Sequence, residues 1–121
     1  MDNEEIAKRV EESRRLHRSG CNCCQAVVLA FADRLPIDRE AATAVGSTFG
    51  RGLSGMREVC GCVSGMAMVC GLLGHSAEAR LVAEQFREEE GDVVCARLLQ
   101  PGRKPCTELV ADAVRMLGEK L

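Results

Sequence analysis

Between Glu58 and Glu78 the chain carries no Asp, Glu, Lys or Arg. A segment of that length with helical composition has no polar face to turn to water, so it belongs at the centre of whatever it packs into. It is a poor membrane span, because His75 interrupts it and glycine recurs through it. The partners of such a segment have to be helices. The chain holds two Ile and three Thr, lacks Tyr and Trp, and shows no sustained alternation of apolar and polar residues. Helix boundaries, by contrast, recur throughout. The fold class expected is all-α: one bundle of about five to seven helices around a central apolar, glycine-containing helix. With 121 residues, 46% of them hydrophobic and 28% charged, residues 1–121 are expected to form a single all-helical domain whose core needs no disulfides.

The first helix is expected over Asn3–Arg18, with Asp2 as its cap, Glu5 three residues on and Gly20 beyond its end. Ile6, Val10, Ser13 and Leu16 trace its inner stripe. Asn22 and Gln25 are spaced as a capping box for a second helix, which runs through Ala26, Val27, Ala30 and Phe31 and stops before Pro36. A third follows Asp38 through Ala42 and Val45 towards Phe49. After the glycine-rich turn Gly50–Gly55, the central helix is expected over about Arg57–Leu73, with Gly61 and Gly65 one turn apart to admit a close neighbour. That neighbour can lie within the chain or across a homodimer. Ser76 is expected to cap a fifth helix with Ala79, Val82, Ala83 and Phe86 inward, ending at Gly91. Asp92 caps a short sixth, and Pro105 opens a last one from Cys106 to about Gly118.

Net charge and aromatic content exclude one class of partner. Sixteen Lys and Arg against eighteen Asp and Glu give a net charge of −2, and three Phe are the only aromatic residues. No basic surplus or stacking platform is available for nucleic acid. The start, MDNEEIAKRV, has no apolar signal region. A cytoplasmic location is therefore expected, and there eight thiols serve metal or redox chemistry rather than structural disulfides.

The cysteines stand at positions 21, 23, 24, 60, 62, 70, 95 and 106. Cys23, Cys95 and Cys106 fall in first turns of expected helices, and Cys60 falls early in the central one. Unpaired N–H groups and the positive end of the helix dipole favour anions there, so these thiols should ionise below the ordinary value of about 8.5. Thiolates are the nucleophiles of disulfide exchange and the ligands of soft metals. Cys70, in an apolar surrounding, reads as a core residue. Cys21 and Cys24 form a C-x-x-C without the βαβ unit of a redox motif.

Other motifs read as structure. Gly50, Gly52 and Gly55 match G-x-G-x-x-G, but the residues before them look helical, so a nucleotide site is not expected. Arg51 and Arg57 could hold a small anion there. His17 and His75 are isolated, and Met56, Met66 and Met68 read as core.

The segments Asn22–Val27 and Cys60–Gly65, together with Cys95 and Cys106, resemble the family of small redox-active proteins named C_GCAxxG_C_C, which carry four cysteines with the second in a C-G-A-x-x-G motif. The resemblance runs from about Gly20 to Leu117 and puts the four family cysteines on Cys23, Cys60, Cys95 and Cys106. Cys24 and Cys62 stand where the pattern has alanine, and Cys21 is additional, so these three could add ligands or resolving thiols. The resemblance implies redox activity but no substrate. Three functions follow in order. The first is an iron–sulfur cluster for electron transfer, ligated by the four family cysteines. The second is thiol–disulfide chemistry without metal, and the third a structural zinc site. The first two require a redox partner.

Overall fold

The computed structural model describes residues 1–121 and contains seven α-helices and two 3-10 turns. The all-α expectation holds, and the only ladder pairing is an isolated antiparallel bridge between Val59 and Val94. No helix is long and apolar enough to cross a membrane.

Helix α1 spans Asn3–Arg18, and the Asp2 carboxylate accepts from the Glu5 N–H at 2.8 Å. Helix α2 spans Cys23–Leu29 and begins with a complete capping box: Gln25 N–H donates to Asn22 Oδ1 at 2.8 Å, and Asn22 N–H to Gln25 Oε1 at 3.0 Å. It ends sooner than its apolar residues suggest. Leu35, before Pro36, must be extended (φ −80°, ψ 143°), and a 3-10 turn at Ala32–Arg34 bridges the gap. Helix α3 spans Arg39–Gly46 with Asp38 as its cap, so Val45 lies at its end, half exposed, and Phe49 lies beyond it.

Helix α4, Gly61–Leu72, begins four residues later than expected. The reason is long-range pairing. Cys60 N–H donates to the Val93 carbonyl at 2.8 Å, Cys95 N–H to Glu58 at 2.6 Å, and Ala96 N–H to Arg57 at 3.2 Å. Residues 57–60 are thereby held out of the helix, and Cys60 becomes its N-cap. A 3-10 turn at Ser76–Glu78 leads into α5, Ala79–Glu90, without the side-chain cap expected of Ser76. Asp92 organises the next turn, accepting from the Val93 and Val94 N–H groups at 2.7 and 2.9 Å, but the residue at the cap of α6 (Cys95–Leu98) is Val94. Helix α7 spans Cys106–Lys120, with Pro105 at its cap.

Helix α4 lies in the core, packed by α2, α5 and α7, with Ala67 and Gly71 reaching the surface. A Cβ on Gly65 would meet Val27 Cβ at 2.9 Å and the Cys24 carbonyl at 3.1 Å. One on Gly61 would meet Cys24 N at 3.0 Å and Cys23 Cβ at 3.2 Å. The glycine face therefore packs within the chain, against α2. Phe31, Met66, Phe86, Met116 and Leu117 fill the rest of the core. Along α1 the inner positions are Ile6, Arg9, Ser13 and Leu16, with Arg9 in place of the expected Val10. Arg9 is tolerated because Asp33, Glu5 and the Ala30 carbonyl accept its donors and its guanidinium lies 5.0 Å from the Phe31 ring centre.

Candidate thiol site

Cys23, Cys95 and Cys106 are the first residues of α2, α6 and α7, and Cys60 caps α4. All four line a single cavity of about 350 Å³, joined there by Cys21. Each arrives by a different device. The Asn22 cap sets Cys23, and Asn22 Nδ2 donates in turn to the Gly46 carbonyl at 3.1 Å. Gly50 packs on that cap so closely that a Cβ would stand 2.5 Å from Asn22 Cβ. The pairing of residues 57–60 with 93–96 brings Cys60 and Cys95 side by side in sequence register. Pro105 starts the helix that carries Cys106.

The remaining wall of the cavity includes His17, Arg51 and Arg57 and no carboxylate, in a chain with eighteen acidic residues. Arg57 Nη1 lies 3.7 Å from Cys95 Sγ. His17 Nε2 lies 3.9 Å from Cys23 Sγ, and its Nδ1 lies 2.7 Å from Thr107 Oγ1. The thiols differ in acidity. Bonds from the Cys106 and Cys62 thiols, with His17 adding to them, hold Cys23 down to about 3 against the cost of burial. Cys60 is lowered by the Cys62 thiol and by the N–H groups of Cys62 and Val63 at the start of α4. Cys62 and Cys106 move up, because each donates to a neighbouring cysteine sulfur and loses water, so Cys106 does not ionise below the ordinary value as its helix-start position suggests.

The additional cysteines separate. Cys21 lines the cavity, whereas Cys62 is fully buried behind it, against Cys23 and Cys60. Cys24 turns into the core, where its thiol donates to Met68 Sδ at 3.6 Å, and burial raises it to about 12. Cys70 is buried in the core as expected. All eight cysteines are free thiols, and no three Cys, His, Asp or Glu side chains stand as a formed metal site.

The sequence reading missed His17 and Thr107. The signal for His17 was the length of the connection: only residues 19–22 separate α1 from α2, so the last turn of one must lie over the first turn of the other. The G-x-G-x-x-G segment follows α3 rather than a strand, and it serves as packing for the Asn22 cap.

A family model described as "Putative redox-active protein (C_GCAxxG_C_C)" matches residues 21–120. No curated protein and no solved structure matches the chain.

Proposed function

The chain belongs to the C_GCAxxG_C_C family of redox-active proteins, and from that premise we propose that its redox centre is an iron–sulfur cluster ligated by Cys23, Cys60, Cys95 and Cys106 and used for electron transfer. The observation that carries the reading is the convergence of those cysteines, each from the start of a different helix, on one acid-free cavity. The donor set suits such a cluster. Soft thiolates select iron–sulfur or zinc, and a cluster with four of them carries net negative charge. Arg57, Arg51, His17 and the helix N–H groups offset that charge.

When bound, the cluster supplies one-electron oxidation and reduction at a potential set by charge, hydrogen bonds and solvent access. The chain's own residues do the rest. Cys23 and Cys60 are lowered in the fold, which eases the loss of their protons to a metal. Leu98 and Leu109 give the cavity an apolar wall that limits water. Arg57 stands 3.7 Å from Cys95 Sγ, where its charge would offset that of a ligating thiolate. A zinc site would use the same donors, but zinc has no redox chemistry, which the family has. Chemistry of this type suits a reducing compartment such as the cytoplasm.

One observation favours a second reading, thiol–disulfide exchange: Cys23 and Cys106 line one cavity with Cys62 buried behind it, and these neighbouring thiols lower Cys23 to about 3. The Cys23 thiolate would attack a substrate disulfide, forming a mixed disulfide and releasing one substrate thiolate. Attack by Cys106 or Cys62 would then release the second and leave an intramolecular disulfide. The absorption spectrum of anaerobically purified protein separates the readings. Without Trp or Tyr the chain leaves the visible and near-ultraviolet clear. Broad visible absorption that bleaches with dithionite is the expected result. A chain that stays colourless after anaerobic reconstitution with iron and sulfide overturns the cluster.

A further inference from the structure

We propose that an acidic redox protein docks over the mouth of the cysteine cavity, on the rim formed by Leu53, Met56, Val59 and Leu99 with Arg51 and Arg57. This rests on the electron-transfer reading and names its partner class. In the step itself one electron leaves the partner's centre, which is oxidised, and enters the centre held by the cavity cysteines, which is reduced.

The rim is apolar where the fold does not require it. Leu53, Met56, Val59 and Leu99 are 39, 65, 43 and 47% exposed, and only Val45 and Leu81 elsewhere are large, apolar and comparably open. These four belong to the two segments that frame the cavity: Leu99 lines it, Leu53 and Met56 lie in the loop between the lining residues Arg51, Gly52 and Arg57, and Val59 precedes Cys60. The paired backbones of 57–60 and 93–96 hold the segments together.

The backbone of the same loop is strained. Arg51, Leu53, Ser54 and Arg57 have φ of 56°, 67°, 50° and 59° and are the only non-glycine residues of the chain with positive φ. A leucine is poorly suited to that conformation, and Leu53 is too exposed for core packing to hold it there. A function at the surface accounts for both facts.

Charge identifies the occupant. Residues 46–60 and 93–105 carry Arg51, Arg57, Arg97, Arg103 and Lys104 against a single acid, Glu58, although the whole chain has a net charge of −2. Arg97 and Lys104 are paired with acids from outside those segments or from the turn before them, whereas Arg51 and Arg57 pair with no carboxylate. A positive rim around an apolar patch attracts a negative partner and repels a second copy of itself.

The probe is a plant-type [2Fe–2S] ferredoxin, an acidic one-electron carrier, titrated calorimetrically into the full chain in its iron-reconstituted and metal-free forms. Binding is expected in both forms and should weaken roughly tenfold or more between about 20 and about 300 mM salt. Arg51→Glu and Met56→Asp should each weaken it roughly tenfold, and Leu81→Asp, on α5 and outside the framing segments, should not. In the reconstituted chain, Met56→Asp should slow reduction by ferredoxin while leaving reduction by dithionite unchanged. No binding, salt-independent binding, or binding indifferent to Arg51→Glu and Met56→Asp would overturn the proposal. So would a homodimer in sedimentation that Met56→Asp dissolves. A chain that takes up no iron yet binds ferredoxin on this rim retains the docking surface and loses the cluster. A chain with a bleachable cluster and no ferredoxin binding does the reverse.

Discussion

His17 Nε2 lies 3.9 Å from Cys23 Sγ, and the opposite ring nitrogen lies 2.7 Å from Thr107 Oγ1. Three helices meet in that contact: the end of α1 and the starts of α2 and α7. The imidazole is positioned from one side and faces a sulfur on the other, an arrangement that favours the thiolate.

The consequence is a pH profile. In the metal-free, reduced protein, Cys23 is thiolate well below neutrality, since its value falls from 9.0 to about 3. Its alkylation by iodoacetamide should therefore be nearly flat from about pH 5 to 9, where an unshifted thiol would gain about tenfold per unit. Cys106→Ala removes the largest of the influences that lower Cys23, so the rate at pH 5 should fall while that at pH 9 changes little. A wild-type rate that climbs tenfold per unit through this range would show that Cys23 is not the thiolate.

Cys60 and Cys70 lie on the same apolar segment but face different surroundings: the first lines the cavity, and the second is enclosed by core. Cys60→Ala should lose most of the reconstituted iron and the visible absorption, whereas Cys70→Ala should keep both in the soluble fraction. Iron and sulfide per chain are the quantities to measure. Equal loss from the two variants contradicts the ligand assignment.

Gly65→Ala places a Cβ 2.9 Å from Val27 Cβ and 3.1 Å from the Cys24 carbonyl, and α2 cannot yield without moving Cys23. It should cost about 1–3 kcal/mol in urea unfolding and lower iron uptake. Gly71→Ala meets nothing within 4 Å in the same helix. There the gain in helix propensity should stabilise the fold by up to about 1 kcal/mol.

Arg9 is 8% exposed and donates to Glu5, Asp33 and the Ala30 carbonyl. Arg9→Ala leaves that carbonyl without its partner and removes the contact with Phe31. Because Asp33 is itself well exposed, the loss should be moderate, about 2 kcal/mol by denaturant unfolding. The thiol site lies elsewhere, so cluster content should be unaffected in the folded fraction.

Arg9 also marks a limit of periodicity. A charged residue between Ile6 and Val10 reads as solvated, because its acceptors at positions 30 and 33 are invisible from within α1. The start of α4 illustrates the same point. Arg57, Glu58 and Cys60 are compatible with helix, but their backbone partners sit more than thirty residues away, at Ala96, Cys95 and Val93. Those bonds hold the segment outside the helix and turn Cys60 from a helical residue into a cap.

The sequence by itself determined the fold class and most helix starts, among them those at Asp2, Asn22, Asp38 and Pro105. It also placed Cys23, Cys95 and Cys106 in first turns. Capping and the 3.6-residue period act over a few neighbours, so a local reading can reach them. Only the tertiary structure decided which thiols share the cavity, which turn into the core, and which cations face them. Cys23 and Cys24 are adjacent in sequence, yet one meets His17 and the other Met68. Successive residues of a helix point about 100° apart, and what each one meets depends on elements distant along the chain.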